Sequence, residues 1–262
     1  MRRGNFLLYF LIWSTSVSLS QEIERDLLPE LVTDRPDQTE SSAIIPLHHL
    51  QIESGFILEQ ISHSLRNIYY NTTILRYGIS NRFEMRLGMN YASLEMEDTL
   101  NSEPVSKKGF SPVSVGGKIQ LSYENGWIPE MALLVHFTIP NTGNKEFTIN
   151  CLRPSLKLAA SHTLSNRISV GYNLGAERDC VNKLILGAFT MVMGLDITEK
   201  LGGFIEMYGY TTEERSFDLR SDAGFTLLIK HNLQLDLSGG IGLNKIAPDA
   251  FFNIGFSWRI PD

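Results

Sequence analysis

The sequence predicts an all-β fold: a transmembrane antiparallel up-and-down β-barrel of about 12 strands, preceded by a short polar N-terminal segment. Three observations predict it. The chain opens with an export leader, it alternates apolar and polar residues from residue 50 onward, and it ends just after an alternating aromatic strand. Composition alone would not have chosen this class, because 43% apolar and 20% charged residues also suit a soluble domain. Order along the chain carries the information.

The leader comes first. Met1, Arg2 and Arg3 form a positive start, Phe6–Trp13 is an apolar run, and small residues ending at Ser18-Leu19-Ser20 precede Gln21-Glu22. That pattern is a cleavable secretory signal peptide over residues 1–20, too short to cross a bilayer as a helix. The full chain carries a net charge of −6; loss of Arg2 and Arg3 leaves 21 basic against 29 acidic groups, a net of −8. An acidic chain gives nucleic-acid phosphates no basic face, so nucleic acid is excluded as a partner. No later stretch is apolar for long enough to make a transmembrane helix.

Residues 21–48 form the N-terminal segment, expected on the periplasmic side of the barrel that residues 49–262 build. Within it, residues 33–42 are polar and carry Asp34, Arg35, Asp37 and Glu40 around Pro36. Such a stretch is too polar to face lipid. Two readings stand: it folds into the lumen as a plug, or it is a solvated lead-in to the first strand.

The strands follow. In Leu233–Leu243 the apolar Leu233, Leu235, Leu237, Ile241 and Leu243 alternate with Gln234, Asp236, Ser238 and glycines. Successive side chains of a strand point to opposite faces, so this is a strand with one greasy and one wet side. The same period runs through Phe83–Tyr91, Val113–Tyr123, Ile168–Leu174 and Phe252–Ile260. Runs bounded by turn residues give 12 strands at about 49–60, 66–77, 81–92, 112–124, 129–139, 147–161, 166–176, 182–195, 201–212, 216–230, 232–243 and 249–260. The second and eighth are the least regular, because Tyr69-Tyr70 and Leu184–Met193 are apolar on both faces. Short connections alternate with longer ones such as Ser93–Ser111, as in an outer-membrane barrel with periplasmic turns and outer loops.

A soluble barrel also alternates, with its apolar face inward. The inverted arrangement is favoured by a polar face rich in charge and glycine, and by aromatics recurring near strand ends: Phe56, Tyr77, Tyr91, Tyr123, Trp127, Tyr208, Tyr210 and Trp258. On that arrangement Glu53, Glu84, Arg86, Lys118, Arg153, Lys157, Glu206, Arg220, Asp222, Asp236 and Arg259 line the lumen. Mixed signs there make either a structural network of ion pairs or the lining of a narrow selective path.

Four stretches carry a resemblance. Leu31–Ser42 (LVTDRPDQTESS), Leu50-Gln-Ile-Glu-Ser-Gly-Phe56, Tyr77–Arg86 (YGISNRFEMR) and Phe204–Gly209 (FIEMYG) resemble motifs of the outer-membrane transporter family labelled "putative MetA-pathway of phenol degradation". The resemblance implies an outer-membrane barrel that passes small compounds, hydrophobic or aromatic ones among them. One departure is Leu47-His48-His49, where a glycine-containing turn is expected before the first strand.

Catalysis is not expected. The six histidines include one mid-strand, His136, with no serine and orienting acid beside it in sequence. No G-x-S-x-G, phosphate-binding loop or H-E-x-x-H occurs. His48 and His49 are adjacent and point apart in extended chain, so no metal and no cofactor are called for. Cys151 and Cys180 fall at the same, outer end; they are either bonded or held apart by geometry. The expected partners are outer-membrane lipid and a small-molecule solute passing down its gradient, with the barrel a monomer. The alternatives are a plugged barrel with a structural or surface-interaction role, a membrane-embedded hydrolase, or a soluble secreted β-sandwich.

Overall fold

The computed structural model describes residues 28–97, 105–179, 184–211 and 217–261. The expected leader lies outside the described residues, as do Cys180 and the connection at residues 212–216. Leu31–Pro261 form one compact unit; Leu28–Glu30 fall outside it and carry no regular secondary structure.

The described residues contain thirteen strands: β1 Leu50–Ser62, β2 Leu65–Ser80, β3 Phe83–Met96, β4 Val105–Phe110, β5 Ser114–Ser122, β6 Glu130–Thr138, β7 Arg153–Ser165, β8 Ile168–Arg178, β9 Ile185–Asp196, β10 Leu201–Thr211, β11 Phe217–Lys230, β12 Leu233–Gly242 and β13 Ala250–Ile260. Strands adjacent in sequence pair antiparallel, except that β4 and β5 both pair with β3, and β1 pairs with β13 from Leu50↔Ile260 to Gln60↔Ala250. That last pairing closes a 12-stranded barrel, which leaves no free sheet edge around the wall.

The thirteenth strand is an addition inside a region read from sequence as loop. β4 and β5 both pair with β3, through Phe110↔Tyr91 and Ser114↔Gly88 respectively. Ser111, Pro112 and Val113 therefore face only Met89 and Asn90, so β4 and β5 are two pieces of one strand interrupted by an extra residue. Pro112, with no N–H to donate, sits at the break. Beyond it β4 is held to the β6–β7 connection, where Asn144 N donates to Phe110 O at 2.9 Å and Phe110 N to Asn144 Oδ1 at 2.6 Å.

Two further boundaries differ. Residues 147–152 are not strand, because the connection folds on itself: Phe147 N donates to Asn144 O and Asn141 N to Ile149 O. The β1–β2 connection is a two-residue turn at His63-Ser64, tight although it lies at the end with the longer loops. Cys151, just before β7, is disulfide-bonded.

The wall is inverted relative to a soluble protein. Leu235, Leu237 and Ile241 of β12 and Phe252, Ile254, Phe256 and Trp258 of β13 are exposed on the outside. Gln234, Asp236, Ser238, Asn253, Ser257 and Arg259 between them are buried inside. Water-seeking groups are thus inside and oil-seeking groups outside, the arrangement of a strand crossing lipid. Two of the aromatics expected at the outer rim are interior groups instead. Tyr208 and Tyr210 meet edge to face, and the Arg220 guanidinium lies over both rings.

Candidate functional site

The interior is built around the polar segment that precedes β1. The chain enters β1 through His48, whose φ of +62° is the left-handed conformation a glycine would supply. His48 N donates to Gly78 O at 2.9 Å, and Gly78 N to His49 O at 3.0 Å. A Cβ at Gly78 would stand 2.1 Å from the Pro46 carbonyl oxygen, so this approach needs glycine on the β2 side rather than in the turn. Residues 31–46 then run along the inside of the wall.

One side of the interior is a charge cluster centred on Arg76, which is fully buried. Its Nε meets Glu84 Oε1 at 2.9 Å, and its Nη1 meets Glu53 Oε1 at 2.8 Å and Asp34 Oδ2 at 3.2 Å. Asp34 also pairs with Arg86 at 2.7 Å and Lys118 at 3.2 Å, and its Oδ1 accepts from Ser41 N and Oγ. Lys118 Nζ donates to Ser41 O and Ala43 O. Glu40 bridges Arg86 at 2.8 Å and Lys157 at 2.7 Å. Strands β2, β3, β5 and β7 thus contribute four bases to this cluster and β1 and β3 two acids; the segment supplies the other two acids, Asp34 and Glu40. Burial opposes ionisation of Asp34, but Arg76, Lys118 and Arg86 outweigh it and hold the carboxyl well below the ordinary range. Against the same penalty, Lys157 and Arg86 bring Glu40 down to about 2.

Beside this cluster, over β1, β13 and β12, the segment presents a base to an acid of the wall. Arg35 Nη2 meets Asp236 Oδ1 at 2.9 Å and Asn253 Oδ1 at 2.6 Å, while Nε donates to Asp236 Oδ2 at 3.2 Å. The guanidinium lies over Gly55 and Gly255, which are direct cross-strand partners. A Cβ on either would stand 2.3 or 2.2 Å from Nη2. Further along, Gln38 N donates to Glu206 Oε2 at 2.8 Å, Thr39 Oγ1 donates to Glu206 Oε1, and Glu40 N and O are bonded to the Asn173 amide. Ser42 Oγ reaches Glu130 and Ser161, and Ile45 N donates to Glu84.

Of the residues expected inside from sequence, Glu53, Glu84, Arg86, Lys118, Glu206, Asp222, Asp236 and Arg259 are buried there. Lys157 is joined to Glu40, and Arg220 to Asp218 and Glu59. Arg153 is part of a separate outer group with Glu177 and Asp179. Asp34, Arg35 and Glu40 are brought against wall residues. Asp37 is half-buried and forms no ion pair among the described residues. Arg76, the centre of the cluster, is absent from the sequence reading. A bulge at Tyr70 shifts the β2 register between Tyr69 and Asn71, so alternation does not run unbroken along that strand. Asn173 and Asn253 fall on the polar faces their alternation predicts, whereas Gln51 and Thr190 carry no signal of their own because uncharged polar residues mark an interior face only weakly.

The sequence matches the model of the family described as "Putative MetA-pathway of phenol degradation" over residues 33–260. No curated protein matches it. Among solved structures, an outer membrane channel from Pseudomonas putida F1 has a TM-score of 0.67 at 11% identity, covering 82% of this chain and 97% of that one. The NanC porin has a TM-score of 0.52 at 9% identity, covering 80% and 98%. The translocator domain of the autotransporter NalP from Neisseria meningitidis has a TM-score of 0.52 at 10% identity, covering 82% and 90%. At these identities the likeness is one of fold, and the fold shared is the closed outer-membrane barrel.

Proposed function

From the chain's membership in the family described as "Putative MetA-pathway of phenol degradation", together with its inverted barrel, we propose an outer-membrane channel for small solutes, hydrophobic or aromatic ones included, whose lumen residues 31–46 occupy as a plug. Export by a leader over residues 1–20 and residence as a monomer in outer-membrane lipid complete this reading. A barrel of about 12 strands is only moderately wider than one filled by its own side chains, so one extended segment suffices to obstruct it.

The observation that carries the reading is the docking of the segment on wall charges of both signs. Asp34 and Glu40 meet bases of the wall, and Arg35 meets Asp236. A solvated lead-in would have no reason to match both. Transport is passive, with selectivity set by the charges the segment covers and uncovers.

The test is conductance in planar bilayers, comparing the mature chain with a version lacking residues 21–45, each verified as folded by heat-modifiable gel migration. Larger steps from the deletion are the expected result. Equal steps from both would remove the plug from the reading, and silence from both folded proteins would favour a permanently closed structural barrel.

A further inference from the structure

A second interior group is not part of the paired network. Glu206 of β10 and Asp222 of β11 are direct cross-strand partners, and both are buried inside the barrel. Like charges directly opposite one another on a sheet destabilise it. Glu206 already accepts from Gln38 N and Thr39 Oγ1, so it is served by the segment. Both Asp222 oxygens are buried and meet no donor. Its other cross-strand partner is Gly240, where a Cβ would stand 2.6 Å from Asp222 Cβ and 2.4 Å from the Phe251 ring. The Glu206 carboxyl lies within hydrogen-bonding reach of Asp222.

We propose that Glu206 and Asp222 form a proton-binding site that latches the segment in the lumen. With one proton shared between the two carboxyls, Asp222 O–H donates to Glu206, and Glu206 keeps its remaining lone pairs for Gln38 and Thr39. Loss of that proton to solvent sets two buried carboxylates and Asp37 against one another, and the segment is released. This rests on the plug reading above.

The surrounding charges do not relieve the pair. Arg220, two residues along β11, is held by Asp218 and Glu59 and lies over Tyr208 and Tyr210. Arg35 from the segment is held by Asp236 of β12. Asp34 and Glu40 bring more negative charge from the segment, balanced by Arg76, Arg86, Lys118 and Lys157 across the lumen. From β9 the neighbours are uncharged, Thr190 and Val192. Burial and the Glu206 charge push the Asp37 carboxyl well above its ordinary range, in the same direction as the latch. A proton also suits the space, because a calcium-sized ion needs six or more oxygens around it and Asp222 is already enclosed.

The experiment is conductance of the full mature chain in potassium chloride at about pH 5 and about pH 9, beside Asp222→Asn, Asp37→Asn and the 21–45 deletion. Wild-type open probability is expected to rise about tenfold or more at the higher pH, the effect of one unit of differential proton affinity. Asp222→Asn, whose amide donates to Glu206 at any pH, is expected to stay closed at both. Asp37→Asn is expected to show a smaller rise, which keeps the test decisive should the first variant fail to fold. A pH-independent wild type, or variants that follow the wild type, would overturn the latch. If the deletion opens while the wild type ignores pH, only the latch fails; if the folded deletion matches the wild type, the plug reading fails with it.

Discussion

The guanidinium of Arg35 occupies the space that a side chain at position 255 would fill: a Cβ on Gly255 would stand 2.2 Å from Arg35 Nη2. Gly55, directly across the ladder, leaves the matching half of the slot. Asp236 and Asn253 close it with charge and a carbonyl. Two strands and the segment are thus cut to one another at a position where neither glycine is needed for its backbone conformation.

Gly55→Val, whose Cβ would meet Arg35 side-chain atoms where a Cβ at Gly255 would also meet the Ser54 carbonyl, is therefore expected to expel Arg35 while leaving the barrel closed. Asp236 would be left buried without its partner, a change that costs about 3–5 kcal/mol. The expected outcome is a lower thermal midpoint together with longer or more frequent channel openings. A variant that unfolds at a lower temperature but conducts like the wild type would separate the slot from the plug.

Arg76→Met removes the cation shared by Asp34, Glu53 and Glu84. Methionine fills much of the volume, so the loss is chiefly electrostatic. Stranding buried carboxylates is expected to cost about 3–5 kcal/mol, read as a lower urea midpoint for the detergent-solubilised barrel. Arg66→Met is the control. Arg66 pairs with Glu95 near the outer end with its own side chain 49% exposed. Its loss is expected to cost under about 1 kcal/mol.

The Glu40 contact has a defined pH window. Its carboxyl is held down to about 2 in the folded protein. A depressed carboxylate contributes stability that is present above its unfolded pKa of about 4 and lost as pH falls through the folded value. Glu40→Gln is expected to lower the thermal midpoint at neutral pH, and the gap to the wild type should narrow only below about pH 4. A gap that changes between about pH 5 and about pH 7 would mean that Glu40 is not held by Lys157 and Arg86 as described.

Two tryptophans report how the barrel sits in lipid. Trp258 is 42% exposed on the apolar outer wall of β13, while Trp127 is 97% exposed in the β5–β6 turn. With the leader and Trp13 removed, brominated acyl chains are expected to quench Trp258 strongly, and aqueous acrylamide to quench Trp127. Trp127→Phe and Trp258→Phe assign the two signals. Equal quenching of both by either agent would contradict an apolar band bounded by the turns.

Much of the wall was legible because alternation is local. Leu235 and Asp236 point to opposite faces whatever the rest of the chain does, since successive Cβ atoms of a strand diverge. The tight corner at His231 was legible for the same reason, while the turn expected at residues 78–80 falls instead at Asn81-Arg82, because β2 runs on to Ser80. The β2 bulge at Tyr70 was not, because Tyr69 and Tyr70 suit either face and the extra residue shows only once β1 and β3 are beside it. Tyr208 and Tyr210 read as rim aromatics until Arg220 on the neighbouring strand was seen beneath their rings.

The sequence by itself determined that a closed barrel with a wet interior would form, and that residues 33–42 belonged out of lipid; period-two patterning and charge are properties of neighbours in the chain. Only the tertiary structure decided which charges meet. Arg35 finds Asp236 across 201 positions, Glu206 and Asp222 become partners only through the β10–β11 register, and Arg76 becomes the centre of a cluster drawn from the segment and five strands. Pairing depends on register and on closure of the ladder, and these are set by all the strands together rather than by any one of them.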